Sequence, residues 1–254
     1  MSRIVVIGGT GLIGSKVVTK LTEHGHTAVS ASPNSGVNTL SGEGLADVLA
    51  GADTVLDVSN SPSFADDDVM NFFTTATTNT LAAAKTAGLN HYVALSVVGA
   101  DRMVDSGYMR AKVAQENLIK ASGIPYSLVH ATQFFEFVTA IAGSATVGDE
   151  VHLSHALIQP MAAEDVATAV ARTTAGAPLN ATIEVAGPEE LGLDDLIRTG
   201  LAFRGDPRIV VADPEATYFG EKLTERMLLP GPDATVFTTR FADWLPANPA
   251  PAAK

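Results

Sequence analysis

The chain opens on a run that leaves it few ways to fold: Arg3-Ile-Val-Val-Ile7, then Gly8-Gly9-Thr10-Gly11-Leu12-Ile13-Gly14. Four consecutive β-branched residues, Ile4 to Ile7, predict a strand buried on both faces. Gly8, Gly11 and Gly14 then recur at three-residue steps, before an amphipathic run in which Leu12, Val17, Val18 and Leu21 are apolar. A glycine turn between a strong strand and a helix suits a nucleotide-binding βαβ unit. There the first glycine allows the turn, the second lets backbone approach a pyrophosphate, and the third lets helix and strand pack closely. The free N–H groups and partial positive charge of the helix start favour phosphate. Gly8, Thr10, Gly11, Leu12, Ile13 and Gly14 are therefore the expected phosphate-side residues. The spacing is G-x-x-G-x-x-G rather than G-x-G-x-x-G, so the context carries the reading more than the triplet does.

Composition removes several function classes. The formal net charge of -12 argues against a nucleic-acid footprint, which needs a basic patch, and against docking on anionic membranes. An anionic cofactor remains compatible, because backbone N–H groups can bind it locally. The absence of cysteine excludes disulfides, thiolate chemistry and cysteine metal sites. No basic-then-apolar leader precedes the first strand, and no uncharged run approaches the roughly 20 residues of a membrane span. The expectation is a soluble cytoplasmic protein. At 254 residues the chain has room for one α/β domain with an appended lobe.

Strands and helices alternate along the chain. Strands are expected at Thr27–Ser30, Gly36–Leu40, Asp53–Val58, His91–Ser96 and Tyr126–Val129, with helices at Glu43–Ala50, Val69–Ala87 and Tyr108–Ala121. This predicts a Rossmann-type, doubly wound parallel α/β sheet with a small C-terminal substrate lobe. The expected domain spans residues 1–245, with a nucleotide-binding core over 1–155 and a lobe built mainly from 132–245. Residues 246–254, rich in Pro and Ala, read as a disordered tail. Asp66-Asp67-Asp68 suits a helix N-terminus electrostatically rather than a metal.

The end of the second strand bears on cofactor type, since an acid there would bind the adenosine ribose hydroxyls. No acid lies between Glu23 and Glu43, and no Lys or Arg either. Ser30, Ser32, Asn34 and Ser35 can hydrogen-bond a 2′-phosphate without repelling it. NADP(H) is the expected cofactor, with NAD(H) as the alternative. Val58, Ser59 and Asn60 follow a strand at its carboxyl end, where open α/β sheets bind ligands, and are expected to line the cofactor.

Tyr108 and Lys112 lie four apart in Tyr-Met-Arg-Ala-Lys, on one helix face, and Ser96 lies twelve residues earlier at a strand end. A phenol titrates near pH 10, and a neighbouring ammonium would lower that value. Tyr108 could then pass a proton to a carbonyl that receives hydride, while Ser96 binds the substrate oxygen and Lys112 also holds the nicotinamide ribose. Ser96, Tyr108 and Lys112 are the expected catalytic residues.

Together, the glycine motif, Ser96, Tyr108-Met-Arg-Ala-Lys112 and the following Ala-Gln-Glu-Asn-Leu resemble the short-chain dehydrogenase/reductase superfamily. More narrowly the chain is similar to its atypical, NmrA-like NAD(P)-binding branch. That narrower likeness rests on Ala46–Asp53, Ser122–Tyr126, Gln159-Pro160 with Asp165–Ala167, and Val185–Pro188. The resemblance covers residues 3 to about 205. It implies NAD(P) binding and, where the triad is intact, oxidoreduction of a carbonyl or alcohol. Relatives lacking the Tyr–Lys pair act as redox-sensing regulators or reduce acceptors such as quinones, and a cofactor-assisted isomerisation is a further reaction on this fold. His130 stands where many relatives carry Arg, and the second strand ends without the Arg of many NADP-binding relatives.

The expected partner is a small-molecule substrate, apolar or aromatic, with a pocket drawn from Val97, Val98, Gln133, Phe134 and Phe137. Phe135 reads as core. His152-Leu-Ser-His155 lacks the acid of a zinc motif, so no metal site is expected. Residues 206–245 read as irregular, with a lid around Tyr218-Phe219 and a terminal helix carrying Trp244. No motif speaks to oligomeric state.

Overall fold

The computed structural model describes residues 1–249. In chain order its elements are β1 (Arg3–Ile7), α1 (Leu12–Glu23), β2 (Thr27–Ala31), α2 (Leu45–Leu49), β3 (Thr54–Asp57), α3 (Asp66–Ala87), β4 (His91–Val97), α4 (Gly107–Ala121), β5 (Tyr126–Ala131) and α5 (Val138–Ser144). There follow β6 (Thr146–Val147), β7 (Glu150–Leu153), β8 (Leu157–Ile158), α6 (Ala163–Ala175), β9 (Ala181–Ala186), β10 (Leu191–Gly192) and α7 (Leu193–Phe203). The chain closes with β11 (Ile209–Ala212), β12 (Thr217–Tyr218), β13 (Glu221–Lys222), β14 (Thr235–Val236) and α8 (Phe241–Ala247).

Among the described residues, seven strands form one parallel sheet in the order β14-β9-β5-β4-β3-β1-β2. β1 sits between β2 and β3, and the chain crosses over it on leaving β2. That reversal opens a crevice beyond the carboxyl ends of β1 and β3, the general ligand site of such sheets. The β-branched run of β1 is buried on both faces, as its composition predicts. Ile4 and Val6 pack with Val17, Leu21, Val166 and Val170, on the side of α1 and α6. Val5 and Ile7 face the opposite layer, with Leu45, Leu49, Ala84 and Ile119 from α2, α3 and α4.

The C-terminal elements divide differently from the expectation. α6 and β9 fall within the 132–245 range expected to build mainly the lobe. Instead, β9 pairs with β5 from Ser127 to Ala131, and α6 buries Val166 and Val170 in the α1-side core. The lobe proper has its own core of Phe135, Val138, Leu196, Ile197, Phe241 and Trp244, built from α5, α7 and α8. Residues 206–245, read as irregular, also contribute strands: β11 joins β7 and β14 extends the main sheet, while the expected terminal helix carrying Trp244 is α8.

The strand expected at Gly36–Leu40 is absent among the described residues. Asn38 Oδ1 accepts the Leu40 N–H at 2.9 Å and the Ser41 N–H at 3.3 Å, which closes a side-chain turn in place of a ladder. Of the tail expected to be disordered, Pro246 and Ala247 complete α8, and residues 250–254 lie outside the described residues. No helix among the described residues is long and apolar enough to cross a membrane.

Candidate cofactor and active site

The glycine turn has little room for any other side chain. Gly8 adopts φ +79°, and a Cβ there would lie 2.9 Å from the Ser59 backbone. The turn after β1 therefore presses directly on the loop after β3. A Cβ on Gly14 would stand 2.2 Å from Gly8 O, which makes Gly14 the helix-to-turn packing glycine. Gly9, outside the three-residue pattern, is equally constrained: its Cβ would meet Ser30 Oγ at 2.5 Å. Gly11 precedes α1 without any side-chain cap, so the first N–H groups of the helix have no local acceptor. Thr10, Gly11 and Leu12 are exposed at this turn, whereas Ile13 and Gly14 are buried. Ile13 is a core side chain and can offer a ligand only its backbone.

At the end of β2, Ser30 Oγ is buried without a hydrogen-bond partner. Ser32 is buried as well, before a short 3₁₀ turn at Pro33–Ser35, and its N–H donates to Ser35 Oγ at 2.9 Å. At the end of β3, Val58 continues the strand by donating its N–H to Ile7 O at 3.0 Å. Ser59 gives both its N–H and its hydroxyl to Asp57 Oδ1, at 2.9 and 2.6 Å. Asn60 is exposed, and its Oδ1 accepts from the Tyr108 hydroxyl at 3.1 Å.

Tyr108 and Lys112 stand one turn apart at the start of α4, but no hydrogen bond joins them among the described residues. The buried Lys112 ammonium donates to Leu95 O at 3.0 Å and to Gln115 Oε1, and lies 4.4 Å from the centre of the Phe73 ring. Gln115 in turn donates to Asp57 Oδ2 at 3.1 Å. Burial lowers the Lys112 pKa to about 8, although the Asp57 and Glu116 charges oppose the fall. The expected lowering of the Tyr108 pKa does not occur in this arrangement. Desolvation pushes the phenol up to about 12, because the ammonium is turned toward other acceptors.

Ser96 does not converge with this pair. Its buried hydroxyl donates to Glu116 Oε1 at 2.6 Å, eight residues beyond Tyr108 and so about 12 Å along the helix axis. Side chains alternate along β4, and Ser96 faces down toward the middle of α4 rather than out of the sheet edge. His130 Nε2 lies 2.8 Å from the same oxygen, and Lys120 Nζ lies 3.1 Å from Glu116 Oε2. Burial alone would raise the Glu116 pKa, but these hydrogen bonds and the His130 charge bring it down to about 2. Asp57, Gln115, Glu116 and His130 thus form the polar interior beneath the site. Sequence reasoning passed over the first three, although an acid closing a buried strand, as Asp57 does, was a readable signal.

The pocket expectation needs revision too. Val98 is fully buried, with its N–H on Ala131 O at 3.0 Å, so it is a core residue. Val97 is part-buried against the lobe core. Phe134 and Phe137 stack with centroids 5.1 Å apart, and Phe135 is core with Phe241 and Trp244, as expected. Gln133 is buried at the carboxyl end of β5. The rings nearest Tyr108 are instead Phe64 and Phe73, the latter edge-on at 5.8 Å. Phe64, from the loop after β3, lies 5.6 Å from the Tyr108 ring and 6.0 Å from Phe219. Phe219 sits at the tip of the β12–β13 hairpin with φ 48°. Glu221 anchors that hairpin by accepting the Asp105 N–H at 2.7 Å, just ahead of α4.

His152 and His155 are tied to carboxylates. His152 reaches Asp213 and Glu150, each at 3.2 Å, and His155 Nδ1 meets Asp194 Oδ1 at 2.6 Å. Asp194 and Asp195 both also bind the Arg198 guanidinium, whose positive charge opposes a cation there.

The family model described as NAD(P)H-binding matches residues 8–175. No curated protein matches the chain. Among solved structures, an NADPH-dependent quinone oxidoreductase (QOR2) from Escherichia coli in complex with NADPH is 22% identical, with TM-score 0.64, over 83% of this chain and 78% of that one. A dTDP-4-dehydrorhamnose reductase from Clostridium acetobutylicum is 15% identical, with TM-score 0.67, over 89% of this chain and 91% of that one. MoeE5 in complex with UDP-glucose and NAD is 15% identical, with TM-score 0.66, over 99% of this chain and 94% of that one. At these identities the likeness is one of fold.

Proposed function

The chain belongs to the NAD(P)H-binding family, and on that premise we propose that it is an NADPH-preferring oxidoreductase of a small apolar or aromatic carbonyl or alcohol. One observation carries the reading: the Tyr108 phenol meets Asn60 at the carboxyl edge of the sheet, beside the crevice between β1 and β3. The residues present fit a dinucleotide. The Gly8–Gly14 turn leaves room for backbone approach, and buried unpartnered polar atoms occur at the ends of both β2 (Ser30) and β5 (Gln133). NADP(H) is favoured over NAD(H) by a β2 end that presents serines and no acid.

When bound, the nicotinamide supplies hydride to the carbonyl carbon. Tyr108 then gives its hydroxyl proton to the carbonyl oxygen, the product is the alcohol, and solvent returns the proton to the phenolate. A phenol kept protonated by burial suits the direction of reduction, since oxidation would require the phenolate as base. Asn60 holds the phenol in place before substrate enters. Lys112, one turn away, is turned to Leu95 and Gln115 and stabilises the phenolate only when its ammonium swings from these partners toward Tyr108. Ser96 has no part in this chemistry, because its hydroxyl is committed to Glu116. Phe64 and Phe219 offer an apolar wall beside the proton donor.

The test is NADPH consumption against a panel of aldehydes, ketones and quinones, for wild type and Tyr108→Phe. Turnover that survives the substitution unchanged overturns the proton-donor role. A second reading, a non-catalytic redox-sensing regulator, is favoured by the commitment of Ser96 and Lys112 to interior partners. It predicts dinucleotide binding without turnover of any acceptor in the panel.

A further inference from the structure

Gln133 is only 7% exposed, yet neither its Oε1 nor its Nε2 has a hydrogen-bond partner. Two orphaned atoms on one buried side chain are uncommon, because each forfeits its hydration without compensation. The backbone around it is fixed. Met161 donates its N–H to Gln133 O at 2.9 Å, and Phe135 donates to Met161 O at 3.0 Å. The next residue back, Thr132, has a buried and unpartnered Oγ1 as well. The segment is thus held rigidly while its polar side chains go unanswered.

The position in the sheet narrows what could answer them. β5 lies on the β3 side of β1, and β2 lies on the other side. Ser30, at the end of β2, is half-buried, and its Oγ is likewise inaccessible and without a partner. The two sites are four strand spacings apart, about 19 Å, with the glycine turn between them. A ligand that places phosphates at the turn and reaches both sites has one half at β2 and the other at β5. If the adenosine half lies at β2, as the ribose-recognition rule requires, the nicotinamide half falls toward β5. A primary carboxamide offers one acceptor and one donor side by side, the complement of what Gln133 presents.

We propose that Gln133 binds the carboxamide of the nicotinamide ring, donating from Nε2 to its oxygen and accepting from its nitrogen at Oε1. This assigns Gln133 to the cofactor rather than to the substrate, and it rests on the cofactor reading given above. The same geometry explains why the protein carries a buried polar group that lowers its stability in the absence of ligand.

The experiment measures dissociation constants by titration calorimetry and melting temperatures of the ligand-free protein, for wild type, Gln133→Met and Gln133→Glu. The probes are NADPH, the 2′-phosphate of ADP-ribose (which lacks the nicotinamide) and the 3-acetylpyridine analogue of NADP (which lacks the amide nitrogen). Gln133→Met should weaken NADPH binding roughly tenfold or more and leave the ADP-ribose phosphate within about twofold. The acetylpyridine analogue should distinguish wild type from Gln133→Met less than NADPH does. Melting of ligand-free Gln133→Met should match or exceed wild type, since two orphaned atoms are removed. Gln133→Glu keeps an acceptor but loses the donor, and should also weaken NADPH selectively. Equal weakening of NADPH and the fragment, or lowered melting of ligand-free Gln133→Met, overturns the proposal in favour of a structural role. So does an effect confined to the KM of a carbonyl substrate. If wild type binds the fragment but Gln133→Met leaves NADPH unchanged, the carboxamide contact falls while the cofactor reading stands. If wild type binds neither, both fall.

Discussion

The Tyr108 hydroxyl donates to Asn60 Oδ1 at 3.1 Å and thereby ties the start of α4 to the loop that follows β3. These positions are forty-eight residues apart, and the contact sets the proposed proton donor at the edge of the crevice. Loss of the phenolic oxygen in Tyr108→Phe should lower kcat by about 10²–10⁴-fold, the usual contribution of a positioned acid. The dissociation constant for NADPH should hold within about twofold, which calorimetry on the same preparations checks.

Lys112 is fixed from below through Gln115 to Asp57. Gln115→Leu would leave a buried ammonium short of an acceptor and a buried carboxylate short of a donor. We expect destabilisation of about 2–4 kcal/mol, since both unpaired groups are charged. The midpoint of urea unfolding measures it. An unchanged midpoint would mean that water replaces the amide without cost.

Glu116 titrates at about 2 in the folded protein against an ordinary value of 4.5. Its folded-state value is depressed, so the unfolded chain binds the extra proton between these two values. The contribution to stability is therefore complete above about pH 4.5 and lost as pH falls through about 2. A shift of that size corresponds to roughly 3 kcal/mol. Glu116→Gln should flatten the slope of melting temperature against pH on the acid side, relative to wild type, in a series from pH 5 to pH 2.

Packing at the turn leaves Gly14 no room for a methyl group, because a Cβ would lie 2.2 Å from Gly8 O. Gly14→Ala must push α1 away from the turn. We expect a cost of about 1–3 kcal/mol, typical of overpacking, and loss of measurable NADPH binding. Denaturant unfolding and calorimetry on the variant separate the two effects.

Cofactor choice is tested at Ser32, which precedes a 3₁₀ turn and is a position where Asp is locally acceptable. Ser32→Asp introduces the acid that the β2 end lacks. It should weaken NADPH by at least about tenfold through repulsion of the 2′-phosphate, and leave NADH equal or tighter. Tighter NADH than NADPH in the wild type would overturn the preference itself.

Local pattern and tertiary placement contributed differently to this site. The strand of β1, the glycine turn, the triple-acid start of α3 and the helix of α4 were legible, because each depends on residues adjacent in the chain or one turn apart. The pairing of Tyr108 with Lys112 on one face was also legible from spacing. Its electrostatics were not, since the direction of the Lys112 ammonium depends on Leu95 and Gln115. Ser96 has the right spacing and the wrong orientation: strand alternation turns its hydroxyl to Glu116. Phe64 and Phe219 carry no local signature: the loop after β3 brings Phe64 to Tyr108, and the hairpin held by Glu221 brings Phe219 to Phe64.

By itself, the sequence determined that a parallel α/β sheet begins with a buried strand and a phosphate-suited turn. Backbone propensity and glycine sterics act over a few residues, and Gly8 to Gly14 hold all of them. The tertiary structure alone decided which polar groups are satisfied and which are not. Asp57, Gln115 and Lys112 are joined across two elements, β3 and α4, whereas the side-chain polar atoms of Ser30 and Gln133 are left without partners at the ends of β2 and β5 of one sheet. Burial and hydrogen bonding are properties of what the folded chain brings close, and no spacing along the chain encodes them.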